Sequence, residues 1–127
     1  MDYCIVSGVL ALDRGLLDRG RYFAYLSGVE KLNAMQIMSA LSQPTRWEVY
    51  NLLVGMLPAG MAASEIAKAV GMSRTAMSPH FAILSAAGLL SSTKSGRHVT
   101  YRAETEPVAE LSDFLTHAVK KGRSSIQ

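Results

Sequence analysis

Arg74, Thr75 and Ser78 sit close together in the segment Ser73-Arg74-Thr75-Ala76-Met77-Ser78-Pro79-His80-Phe81. A guanidinium offers a fork of donors that fits guanine O6 and N7 or a phosphate, and short hydroxyls bond base edges or phosphate oxygens. That is the chemistry of binding, not of bond cleavage. As a guanine reader Arg74 would supply about 1–3 kcal/mol of discrimination, so Arg74→Ala is expected to weaken a cognate duplex more than a random one. Equal losses would make it a phosphate contact. Ser73 and His80 complete this cluster, with His80 able to reach a DNA backbone or to pack beneath a neighbouring element. Lys94, Arg97 and His98 form a second cationic set suited to phosphate or minor-groove contact.

The elements that must position these side chains are legible in the stretch Ser64 to Leu90. Ser64 is a candidate cap for a first helix, Glu65 falls where the helix dipole favours an anion, and Ile66, Ala67 and Val70 share one face. Gly71 ends that helix. Ser73 then caps a second, whose Met77, Phe81 and Leu84 repeat at i, i+4 and i+7 and leave Arg74, Thr75 and Ser78 on the opposite side. Pro79 interrupts this pattern, because a helical proline loses one hydrogen bond and crowds the carbonyl four residues back. Either the helix kinks there, or its regular part begins at Ser78-Pro79. The spacing matches a DNA-binding helix-turn-helix, whose second helix meets base edges in the major groove. Two short strands follow, Leu89 to Lys94 and Val99 to Arg102, joined through Ser95-Gly96-Arg97-His98 as a basic-tipped hairpin. A hairpin in that place is a wing.

Taken together, Ala40-Leu41-Ser42-Gln43-Pro44-Thr45-Arg46, the Ser73–Phe81 segment, Ala87-Gly88-Leu89-Leu90 and Gly96-Arg97-His98-Val99-Thr100-Tyr101 resemble the ArsR (ArsR/SmtB) winged-helix regulators over roughly residues 30 to 120. The resemblance implies a homodimeric bacterial repressor, paired through its first and last helices, that leaves DNA when an inducer binds or a thiol is oxidised. It does not carry the family's metal sites. Met61-Ala62-Ala63-Ser64-Glu65-Ile66 holds no thiol, and Thr105, Pro107, Ala118 and Lys121 occupy the places of the last-helix ligands. Asp113 and His117, at i, i+4, are the sole weak metal candidates, and such a pair is ordinarily a surface contact.

The composition agrees. The chain has 127 residues, enough for one domain with a real core, and its 49% hydrophobic content is high enough that a subunit interface would help to cover the excess. The formal charge is +3, and its distribution is informative: from Ser64 to Ala103, Lys68, Arg74, Lys94, Arg97 and Arg102 stand against the single acid Glu65. Positive charge concentrated beside a groove-sized helix is what phosphate binding requires. A single cysteine, Cys4, excludes an internal disulfide framework, and as a lone thiol it is a redox switch only through a second copy. The apolar runs are too short to span a bilayer, and Asp2 and Asp13-Arg14 do not fit a signal peptide, so a cytoplasmic protein is expected.

Along the chain, residues 1–28 form an extension in which Ile5, Val9, Leu12 and Leu16 have heptad-like spacing, while Gly8, Gly15 and Gly20 oppose a stiff helix. It fits a dimer arm or a start placed too early. Residues 29–121 form the winged helix-turn-helix domain. Its first helix, Val29 to Leu41, carries the stripe Leu32, Met35, Met38, Leu41; its second, Thr45 to Leu57 behind Pro44, is expected to bury Trp47, Tyr50, Leu53 or Val54, and Leu57. Pro58-Ala59-Gly60 closes it. The last helix opens at Thr105-Glu106-Pro107, aligns Val108, Leu111, Leu115 and Ala118 with Phe114 on the flank, and turns Glu110, Asp113 and His117 to solvent. Residues 122–127 are expected to fray.

The expected fold is therefore mostly α (α+β): about five helices and a two-stranded wing. The expected function is sequence-specific binding of double-stranded DNA by a homodimeric repressor at a near-palindromic operator, without cofactor or membrane. A winged-helix protein-interaction module is the alternative. No nucleophile–base pair or Gly-rich phosphate loop points to an enzyme. A metal, an oxidant, a small organic inducer, or none at all, is equally compatible with the residues.

Overall fold

The computed structural model describes the backbone of residues 4–5, 8–9 and 29–126 and the side chains of residues 31–121. It divides into two compact units, 1–33 and 34–127. In the first, β1 (Cys4–Ile5) pairs antiparallel with β2 (Gly8–Val9), in the register Cys4↔Val9 and Ile5↔Gly8. Ile5 and Val9 therefore lie on strands, which corrects the heptad reading; Leu12 and Leu16 lie outside the described residues.

Five described helices follow: α1 (Val29–Leu41), α2 (Pro44–Gly55), α3 (Ala63–Val70), α4 (Arg74–Ala86) and α5 (Glu106–Ile126). The second unit also holds a three-stranded antiparallel sheet in the order β3 (Met61–Ala62), β5 (His98–Ala103), β4 (Leu90–Ser95). The wing hairpin is in register from Leu90↔Ala103 to Ser95↔His98, so its turn is the dipeptide Gly96-Arg97, with Gly96 at φ +62°. Type I′ and II′ hairpin turns need a positive φ at this first position, and glycine adopts it without steric cost. The third strand, β3, is an addition to the two-stranded wing read from the sequence; it pairs Met61 with Tyr101 and Ala62 with Thr100.

One core joins the elements of the second unit. Ile37, Val49, Leu53, Ile66, Met77, Phe81, Leu84, Leu89 and Leu90 are buried, with Val108 and Phe114 packed against them. Pro44 opens α2, and the Gln43 side chain accepts from the Arg46 amide at 2.9 Å, as a cap should. Two helical faces differ from expectation. On α1 the buried positions are Ala34, Ile37 and Ala40, whereas Leu32 and Met35 are 70% and 45% exposed. On α2, Val49, Tyr50 and Leu53 are inside, and Trp47 is 53% exposed, with Val54 and Leu57 also outside. Periodicity marked apolar faces correctly but not which one meets this chain's own core.

The last helix packs through Leu111, Val108 and Phe114, then leaves Leu115, Ala118 and Val119 in solvent. It continues to Ile126, through the segment expected to fray. Glu110 follows Glu106 by one turn and precedes Asp113 by three residues. Burial first, then these two carboxylates, raise its pKa above the ordinary 4.5. A raised carboxylate pKa penalises the fold above that pKa, and the penalty is relieved as pH falls through it. Glu110→Gln is thus expected to raise the melting temperature at neutral pH, with the gain vanishing near the ordinary carboxylate range. A gain that persists at low pH would show that charge is not the cause.

Candidate nucleic-acid interface

Helix α3 begins at Ala63 behind Ala62, which makes no side-chain cap bond, so Ser64 is not the cap but lies in the first turn. Gly71, at φ +74°, ends α3, and its own amide donates to the Lys68 carbonyl. Ser73 then caps α4, its Oγ accepting from the Ala76 amide at 3.0 Å. The Met77 amide reaches the Ser73 carbonyl at 3.0 Å, so the first turn is regular and α4 starts at Arg74. A helix beginning only at Ser78-Pro79 is thereby ruled out. Pro79 lies inside α4 and leaves the Thr75 carbonyl without its i+4 amide donor, on a surface where water is available.

The two faces of α4 separate cleanly. Met77, Phe81 and Leu84 are buried; Arg74, Thr75 and Ser78 are exposed. Phe81 stacks on Tyr101 of β5 with ring centroids 4.3 Å apart and planes at 20°, which fixes α4 against the root of the wing. Tyr50 of α2 donates to the Glu104 carbonyl at 2.9 Å just beyond β5. Burial, and secondarily Glu104, raise the phenol pKa, so at neutral pH it is a protonated donor.

The wing presents Lys94, Arg97 and His98 exposed at the end of β4, in the turn and at the start of β5. Arg97 and His98 come beside Arg74, all three lining one small cleft with Ala62, Ala63, Ser64 and Val99. No carboxylate lines it. Ser64 was singled out in the sequence only as a cap; its place in this cleft depends on the hairpin folding back, which no local pattern encodes.

His80 is placed elsewhere. It is half-buried, and its Nδ1 lies 3.3 Å from an Arg46 Nη. Arginine has only donors, so Nδ1 is the acceptor of a neutral ring. The same Arg46 donates to the Ala40 carbonyl at 2.7 Å and, at 3.5 Å, to that of Ser39, closing the C-terminal end of α1. Gln36 ties α1 to the other end of α4 by donating to the Ala86 carbonyl at 3.3 Å. Arg46 was missed as a structural residue, although a cation one turn into the helix after a tight connection can reach back to the preceding carbonyls. Arg46→Ala is expected to cost about 1–3 kcal/mol in urea unfolding, the range for a charge-assisted hydrogen bond. A change below about 0.5 kcal/mol, the level of an ordinary surface substitution, would rule out that role.

Among the described residues no group of three or more His, Cys, Asp or Glu could hold a metal ion, and no helix is long and apolar enough to cross a membrane. Asp113 and His117 both lie on the exposed side of α5.

A capped, one-sided helix behind a tight turn, with a hairpin packed beside it, defines a winged helix-turn-helix. Residues 41–93 match the family described as Helix-turn-helix domain. The uncharacterised HTH-type transcriptional regulator YbzH of Bacillus subtilis (strain 168) is 28% identical over 81 residues, 64% of this chain and 81% of that protein. The transcriptional repressor SdpR of the same organism is 27% identical over 90 residues, 71% of this chain and 97% of its own length. Among solved structures, an ArsR-like transcriptional regulator from Rhodococcus sp. RHA1 matches with a TM-score of 0.69 at 28% identity, covering 78% of this chain and 91% of that one. The chain is an ArsR-like winged helix-turn-helix regulator, of a class that is generally non-enzymatic.

Proposed function

We propose that this DNA-binding regulator is a homodimeric cytoplasmic repressor that inserts two copies of α4 into successive major grooves of a near-palindromic operator. The observation that carries the reading is the division of α4: Arg74, Thr75 and Ser78 outward, Met77, Phe81 and Leu84 inward, with the cationic turn of the wing alongside. Base readout then falls to the outward side chains near the start of α4, and affinity to phosphate contacts from the same face and from Lys94, Arg97 and His98. Dimerisation through the first and last helices is supported by Met35 on α1 and by Leu115 and Val119 on α5, which are 45%, 42% and 61% exposed. Repression is supported by the likeness to SdpR, itself a repressor.

Selection of retained fragments from genomic DNA, with sedimentation of the free protein, tests this directly. The expected result is a two-subunit particle and a shared inverted repeat with half-sites about 10–10.5 bp apart, or a multiple of that spacing. Absence of salt-sensitive retention would favour a protein-interaction module instead.

A further inference from the structure

Arg74 is the first residue of α4, Arg97 lies in the wing turn, and Ser64 stands in the first turn of α3. These three elements are distant in sequence, yet they line a single cleft with His98. The floor is made of Ala62 and Ala63, whose short side chains leave it open, and no acidic residue closes it. Neither arginine makes a hydrogen bond or ion pair with the described residues. Two guanidiniums converging without a counter-charge repel each other, and an oxyanion between them turns that repulsion into two charge-assisted interactions.

We infer that this cleft binds one backbone phosphodiester of duplex DNA, clamped between Arg74 and Arg97, with the Ser64 hydroxyl as a further donor. The inference rests on the proposed function and deepens it. Groove walls are made of phosphates, so an arginine on the flank of a groove-entering helix, facing a wing, meets a wall before it meets a base. Arg74 accordingly sets the register of α4 on the duplex, and sequence discrimination passes to Thr75 and Ser78.

The test compares the wild-type protein with Arg74→Ala, Arg97→Ala and the double variant. All are measured on a duplex recovered by genomic selection and on an unrelated duplex of equal length, each over a salt series. Both side chains are exposed, and circular dichroism confirms that each variant is folded. Each single substitution is expected to weaken both duplexes by the same factor, about tenfold for one charge-assisted contact. The second substitution costs less than the first. The log affinity against log salt slope of the double variant is shallower than the wild-type slope by about 0.9, the value for one phosphate. A loss confined to the selected duplex would make Arg74 a base reader and overturn the clamp. So would a slope change of about 1.8, which means two separate phosphates. Stabilisation of the wild-type protein by inorganic phosphate, with duplex affinity unchanged in the double variant, would assign the cleft to a free anion and overturn it as well. These outcomes leave the wild-type protein binding DNA, whereas a wild type that shows no salt-sensitive duplex binding overturns the parent reading along with the clamp.

Discussion

Phe81→Ala is expected to lower the unfolding free energy by about 3–5 kcal/mol, the range for truncating a buried aromatic residue. Phe81 is 6% exposed on the inner face of α4, and its ring stacks on Tyr101. Truncation leaves a void where α4 meets β5, and the surrounding backbone can close it only by drawing the helix inward or tilting it. Loss of stability is therefore expected together with loss of DNA affinity, measured well below the melting temperature. Urea unfolding gives the first quantity and duplex titration the second. An effect below about 1 kcal/mol would mean that α4 and the wing are not held together through this stack. By contrast Ile83, on the same helix but 42% exposed, is expected to tolerate alanine with little change in stability.

Gly60→Ala is expected to cost about 3 kcal/mol, at the upper end for strain at a left-handed position with an added clash. Gly60 has φ +81°, and a Cβ there would overlap Arg102 Cγ and stand 2.5 Å from the Tyr101 carbonyl oxygen. The Arg102 side chain is exposed and can swing away, but the Tyr101 carbonyl belongs to the backbone that pairs with Met61. The substitution must therefore push β3 from β5, and amide exchange along Met61–Ala62 should speed up with the loss of stability. Gly55→Ala is the control: a Cβ at this end of α2 meets no atom within 4 Å, and alanine is the better helix former. It should be neutral or slightly stabilising. Equal costs at the two glycines would show that chain flexibility, not the close approach to β5, sets the effect.

What could be read from the sequence was local chemistry. Ser73 caps the helix that its hydroxyl predicted, Gly71 and Gly96 adopt the positive φ that a helix stop and a two-residue hairpin need, and Met77, Phe81 and Leu84 point inward as their spacing required. These outcomes are decided within a few residues. Trp47, Leu32 and Met35 were misjudged for a different reason. Helix α1 has two apolar faces, and the one that packs on the core uses Ala34 and Ala40, whose small side chains carry little hydrophobic signal but let the backbone approach closely. The bulkier face is the one left uncovered. The strand β3 went unread because two residues hold no period; only Gly60 before them marked a close approach. The joining of Arg74 to Arg97, and of His80 to Arg46, depends on elements meeting across the fold. Residue types named the candidates, and tertiary packing sorted them into an outward-facing set and an inward tie.

The claim on which the rest depends is that the start of α4 and the tip of the wing form one DNA-facing surface. Mapping backbone amide shifts as a selected duplex is titrated into the protein measures it most directly. The account predicts that the largest changes cluster at residues 73–78, 94–98 and 62–64, and that they weaken in step as salt is raised. Changes centred instead on the exposed Trp47 face of α2, with residues 73–78 unmoved, would contradict it.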